Sequence, residues 1–169
     1  EIVPALVPVV KKLCSATPNL DAFYDGGGLP AVLAAIAAHT EVTQPLADLC
    51  HVLSRMCETR DRRPPAREAG TLATVCPVLL SWATWAADNN VLDSDTGTIV
   101  KTLLRVVTLL THGSVEHATA AVAANSVPSI EAAFRCHALD VHVAALAFAT
   151  AATLVAGSDE NKVALCEGA

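Results

Sequence analysis

Charge, aromatics and paired cysteines are all scarce in this chain. Only 17% of its 169 residues are charged and 4% are aromatic. With 53% apolar residues, that balance excludes intrinsic disorder, which needs low hydrophobicity and high charge. The shortage of Phe, Trp and Tyr argues against a β-rich domain. No CxxC pair occurs among Cys14, Cys50, Cys57, Cys76, Cys136 and Cys166, which are scattered through apolar segments. A secreted disulfide framework is denser in so short a chain, so these read as buried free thiols in a reducing compartment. The expected location is the cytoplasm, with the nucleus as the alternative. Cys50 and Cys57 are two helical turns apart, too far for a disulfide along one helix.

Catalytic signatures are missing too. There is no GxSxG, and Gly26-Gly27-Gly28 lacks the Lys-Ser/Thr that completes a phosphate loop. Nothing fixes a third orienting group beside any Cys–His pair. Cys136, His137 and His142 are close in sequence but lack regular zinc-ligand spacing, and read as polar residues at helix ends. The expectation is a non-enzymatic protein with no cofactor and no metal. The first ten residues lack the basic start and cleavage site of a secretory leader. The Glu1 start and the halt after Gly168 are expected of a piece of a larger protein. Residues 69–87 and 141–158 carry no Asp, Glu, Lys or Arg, but Ala and Thr dominate them and basic flanks are absent. They read as buried helices rather than membrane spans.

What charge there is sits unevenly. Net charge is −6. Residues 1–68 carry seven basic and eight acidic side chains, and residues 69–169 carry four and nine. The acidic balance argues against nucleic acid as a partner. An acidic partner is expected to dock on the N-terminal half.

A repeat is legible. Gly27, Gly70, Asn125 and Gly168 each follow an amphipathic stretch and precede a small or apolar residue, at spacings of 43, 55 and 43. Gly adopts the left-handed conformation that ends many helices, and Asn tolerates it best among the others. Pro30 and Pro128 then suit a helix's first turn, where an N–H has no partner. The longer spacing reads as one repeat with an insertion, a polar loop at 88–97. Between these anchors the apolar period is helical throughout. Helices are expected at 2–16, 17–24, 29–39, 41–58, 71–87, 98–111, 114–124, 127–138, 141–156 and 159–167. Ser114 and Asp140 are expected as N-caps. Residues 60–65 are expected as a break before a short helical remnant at 66–69. The unit is short helix, medium helix, long helix, and only stacking buries its apolar faces.

The Gly28-Leu29-Pro30 turn, the period near 42 and three helices of rising length resemble armadillo repeats. The segment from Asp159 through Gly168 is similar to that family's short-helix region. The whole chain is identified as a single armadillo-type segment, an all-α, right-handed α-α superhelix of about three and a half repeats. Leu49 to Met56, and the long repeat before Val100 to Arg105, are similar to the armadillo repeat-containing protein 6 family. The resemblance implies a protein or peptide partner held along the concave face of the long helices. In the superfamily's nuclear-import adaptors, an Asn and Trp ladder lines that face. Here the Asn-equivalent positions are Lys12, Arg55, Thr108 and Thr153, and the Trp-equivalents are Pro8, His51, Leu104 and Ala149. The ladder is absent, which removes the import-adaptor expectation.

Candidate partner-binding residues are therefore Lys12, His51, Arg55, Lys101, Arg105, Thr108 and Thr153. Lys101, Arg105 and Thr108 share one helix face by their spacing. Arginine grips carboxylate or phosphate bidentately, so one reading is a strip for an acidic or phosphorylated peptide. The other is ordinary solvated side chains. Arg60, Arg62, Arg63 and Arg67 form a second cluster, read either as a phosphate grip or as a soluble loop. Trp82 and Trp85 are expected to pack. A structural scaffold segment with no groove ligand remains the alternative to the binding module.

Overall fold

A computed structural model of the protein describes residues 2–89, 94–137 and 140–167. Every regular element among them is helical. The order is α1 (Ile2–Leu13), α2 (Thr17–Phe23), α3 (Leu29–Ala38), α4 (Thr43–Glu58), α5 (Arg63–Glu68), α6 (Thr71–Asn89) and α7 (Ser94–Thr111). Then come α8 (Val115–Ala123), α9 (Ser126–His137), α10 (Val141–Val155) and α11 (Asp159–Glu167). A kinked turn, Tyr24–Gly28, broken at Gly27, joins α2 to α3, and a 3-10 turn, Arg60–Arg62, precedes α5.

The turn chemistry is as the spacing predicts at three of four anchors. Gly27, Gly70 and Asn125 have φ of 83, 72 and 67°. Gly168 lies outside the described residues. Ser114 caps α8 by accepting from the His117 N–H, and Asp140 caps α10 by accepting from His142 and Val143. Pro18, Pro30 and Pro64 occupy first turns, where they cost no hydrogen bond.

Two expectations need correction. Residues 60–65 are a 3-10 turn running into α5, not a break, because Pro64 and Pro65 fall where helix N–H groups have no partner anyway. Of the polar loop expected at 88–97, residues 88–89 and 94–97 are helical, since α6 runs to Asn89 and α7 starts at Ser94; residues 90–93 lie outside the described residues. The insertion therefore lengthens helices. At 19 residues, α6 outruns α3 with 10 and α9 with 12, and exceeds its own long helix α7 with 18. The rule of rising helix length fails in that repeat.

The helices stack in two layers. Long helices α1, α4, α7 and α10 pack side by side in that order, and α3, α6 and α9 form the other layer. Between them lie Ile36, Leu46, Leu53, Met56, Leu79, Ile99, Leu103, Leu104 and Leu110, all fully buried. Each such side chain contributes roughly 1.5–3 kcal/mol by leaving water. Hydrogen bonds between neighbouring repeats keep the sequence period. Trp82 donates its indole N–H to the Thr40 carbonyl, 42 residues away, at 2.8 Å. Thr108 pairs with Thr150, and Thr111 with Thr153, again 42 apart. Apolar side chains remain exposed at Leu6, Val9 and Leu13 on α1, and at Val141 and Phe148 on α10.

Arg67 ties two repeats together. Its guanidinium donates to the carbonyls of Leu110 at 2.7 Å and His112 at 3.2 Å, at the C-terminal end of α7. Those carbonyls have no intrahelical donor, and the helix end carries partial negative charge. Arg67→Met is expected to lower stability by about 1–2 kcal/mol, read as a fall in the urea midpoint without a change in slope. Arg67→Lys should not restore it, since a single ammonium does not reproduce the planar fork.

Candidate functional site

The long-helix layer carries a continuous polar stripe. On α4, Gln44, Asp48, His51, Arg55 and Glu58 recur every three or four residues and so line one face. Lys11, Lys12 and Ser15 flank it from α1 and its C-terminal turn, and Lys101 and Arg105 from α7. Cross-helix pairs join these elements. Lys11 Nζ lies 2.6 Å from the buried Asp48 carboxylate, to which Gln44 also donates at 3.3 Å. Arg105 reaches Glu58 at 2.9 Å, and Arg55 reaches the same carboxylate at 3.4 Å. Lys101 lies 3.6 Å from Asp140.

The face is thus less basic than the sequence suggests. Five cations, Lys11, Lys12, Arg55, Lys101 and Arg105, share it with Asp48, Glu58 and Asp140. Arg55 and Arg105 both lean on Glu58, which sequence reasoning missed. Glu58 follows Arg55 by three residues and so was findable, but its bond to Arg105 crosses 47 residues. Lys12 and His51 are exposed and make no ion pair. An open groove of about 410 Å³ lies between α1 and α4, lined by Pro8, Lys11, Lys12, Ser15, Gln44, Asp48 and His51.

His51 is held below its ordinary pKa by partial burial first, then by Lys11 and Arg55, with Glu58 and Asp48 opposing. Burial is the largest single influence on the Asp140 carboxyl and raises it, yet the group stays below the ordinary range. Backbone N–H groups of His142 and Val143, and Lys101, favour its charged form.

Thr108 and Thr153 are committed elsewhere. Thr108 donates to the Leu104 carbonyl and pairs with Thr150 at 2.8 Å; Thr153 pairs with Thr111 at 2.9 Å and donates to the Thr150 carbonyl. They form a hydroxyl ladder between α7 and α10. Beyond it, α10 exposes Ala145, Ala149 and Ala152, so the polar stripe gives way to small side chains.

The loop arginines are mostly structural. Arg63 donates to the carbonyls of Cys57 and Glu58 at the end of α4. Arg62 pairs with Asp21 and lies over the Tyr24 ring, 4.8 Å from its centre. With Arg67 bound to α7, only Arg60 of the four makes no such contact. Among the described residues no three His, Cys, Asp or Glu side chains converge as metal ligands. No single helix among them is long and apolar enough to cross a membrane.

None of the six cysteines is in a disulfide. Burial pushes the Cys57 and Cys76 thiols up to about 12, and the Cys50 thiol higher still. A thiolate-specific reagent such as DTNB at pH 8 is expected to label exposed Cys166 quickly and Cys136 slowly. Cys14, Cys50, Cys57 and Cys76 should react only on unfolding. Fast labelling of more than two thiols would contradict the packing of α4 and α6.

The class these features define is an all-helical stack of repeated units with a polar face along its long helices. Solved structures share the all-helical fold. One engineered protein, whose crystal structure comes from the Northeast Structural Genomics Consortium, matches with a TM-score of 0.71 at 18% identity. A second from the same consortium matches with a TM-score of 0.69 at 17% identity. Each match covers 98% of this chain, which spans 36% of the first protein and 61% of the second. At such identity the likeness is one of fold alone. No protein-family description matches the chain, and no curated protein matches it in sequence.

Proposed function

We propose that this chain is a non-enzymatic interaction module, an armadillo-type right-handed superhelix that binds a partner protein through an extended acidic segment. The observation that carries the reading is the α1–α4 groove, where exposed, unpaired Lys12 and His51 stand beside Lys11 and Arg55. An extended chain laid across the long helices meets the groove first. It then meets the Arg55–Glu58–Arg105 cluster, where a ligand carboxylate competes with Glu58 for a guanidinium. Six cysteines with no disulfide among them suit work in a reducing compartment, the cytoplasm or nucleus. The exposed apolar side chains of α1 and α10 favour a second reading, a scaffold segment that packs against further helices.

The test is fluorescence anisotropy with a labelled decapeptide of alternating Glu and Ser. Wild type should bind it with marked salt sensitivity. Lys12→Glu/His51→Glu breaks no ion pair and should weaken binding at least about tenfold through one charge reversal and one added negative charge. Equal binding by both proteins, at matched melting temperature, overturns the assignment of the groove. So does a wild type that ignores the peptide.

The pH dependence has a definite sign. In the free protein the His51 imidazolium is disfavoured, and a ligand carboxylate beside it restores the proton. Bound His51 therefore has the higher pKa, and affinity rises as pH falls from 7.5 towards 5.5. Each pKa unit regained multiplies affinity about tenfold at the low-pH plateau. His51→Gln should abolish that rise while leaving binding at pH 7.5 nearly unchanged.

A further inference from the structure

The lengthened α6 builds a second site, remote in chemistry from the basic groove. Trp82 is buried and its indole N–H holds the Thr40 carbonyl in the turn between α3 and α4. One turn on, Trp85 is 46% exposed, which packing alone does not explain. The two rings meet edge to face, with centres 5.5 Å apart at 69°. That contact holds the Trp85 ring in place while leaving much of it to solvent. Thr40, Glu41, Thr43, Ser81, Trp82 and Trp85 line an open pocket of about 410 Å³ here.

Its electrostatics have one sign. Glu41 is exposed in the wall and Asp88, three residues beyond Trp85, is exposed on the same side of α6; neither makes an ion pair. No Lys or Arg lines the pocket. The last turn of α6 carries no basic residue, and a helix C-terminus favours cations. The C-terminal end of α3 leads into Thr40, whose carbonyl accepts from Trp82. An aromatic ring attracts a cation over its face, best of all for tryptophan. A guanidinium both stacks on such a ring and bonds a carboxylate. Ring, carboxylates and free hydroxyls of Thr43 and Ser81 thus complement one chemistry.

We propose that the Trp85–Glu41 pocket binds a basic side chain, an arginine above all, presented by a partner polypeptide. The Arg planar face stacks on Trp85 while its N–H groups reach Glu41. The site is independent of the acidic-peptide groove and of opposite sign, so one protein offers two complementary contacts to a partner of mixed charge.

The experiment is a titration of the intact chain with acetylated, amidated Gly-Arg-Arg-Gly, followed by the indole N–H resonances of Trp82 and Trp85. Trp85 should shift saturably in the millimolar range, and the shift should weaken with salt. Glu41→Gln and Asp88→Asn change exposed residues and leave folding intact. Each should weaken binding by about two- to fivefold, and together by more. Trp85→Leu, checked for folding by circular dichroism, should remove binding as read by peptide diffusion. Three results would overturn the proposal: no Trp85 shift at 10 mM peptide, an equal shift with Gly-Glu-Glu-Gly, or unchanged affinity in Glu41→Gln/Asp88→Asn. The Lys12→Glu/His51→Glu variant should bind the basic peptide normally, which separates this test from that of the groove.

Discussion

Leu103→Ala is expected to cost about 3–4 kcal/mol and to lower the melting temperature by roughly 6–16 °C. Leu103 is fully buried at the middle of α7, a helix packed between α4 and α10 and backed by α6. Neighbours on three sides limit collapse of the cavity, and the cost of such a truncation grows with the cavity that remains. Leu154 is also fully buried but sits near the end of α10, which packs on α7, α9, α8 and α11. In stacked repeats each unit leans only on its neighbours, so damage at one end opens locally. Hydrogen exchange separates the cases. Leu103→Ala should raise exchange in every helix from α4 to α10, whereas Leu154→Ala should raise it chiefly in α10 and α11. Val163→Ala, at an exposed position, should stay within about 0.5 kcal/mol of wild type. A Leu103→Ala protein as stable as wild type would contradict the two-layer core.

Gly28→Ala is expected to cost about 3 kcal/mol, although its backbone angles suit any residue. A Cβ at Gly28 would lie 2.5 Å from the Phe23 carbonyl oxygen and 2.8 Å from its ring. Part of the obstacle is backbone, which cannot rotate away as a side chain can, so overpacking falls at the upper end of its usual range. The adjacent glycines make the comparison sharp. At Gly27 a side chain meets open space but must adopt φ of 83°, a penalty of about 1–2 kcal/mol. At Gly26 there is neither crowding nor positive φ. Urea unfolding of the three alanine variants should rank them Gly28, Gly27, Gly26 in order of loss. A neutral Gly28→Ala would mean that the kinked turn reshapes at little cost.

The three glycines also show where sequence reasoning reached. Spacing singled out Gly27 as a left-handed turn residue, together with Gly70 and Asn125, and each has positive φ. Nothing in the sequence distinguishes Gly28 from Gly26, because the Phe23 carbonyl comes close only once the kinked turn has formed. The helix at 94–97 was hidden by composition. Ser94, Asp95, Thr96 and Gly97 read as loop, yet Thr96 is 1% exposed and Gly97 is buried, so burial overrides weak propensity there. At the site, Lys12 and His51 are exposed as expected, whereas Thr108 and Thr153 are spent on a hydroxyl ladder. Trp82 is buried as predicted, whereas Trp85 packs against its ring and yet leaves much of its own surface to solvent.

The sequence by itself determined the helices, their caps, three of the turns and the phase of the repeat. These are local matters of apolar period, left-handed glycine and missing N–H partners, written within a few residues of one another. Only the tertiary structure decided which charges remain available. Glu58 quenches Arg105 across 47 residues, and Arg67 closes the end of a helix 43 residues on. It also decided that an extended α6 leaves Trp85 beside Glu41, in a pocket lined by no Lys or Arg. Electrostatic and hydrogen-bond pairing depends on distance through space. In a stacked chain that distance is set by the helix next door, not by the residue next in sequence.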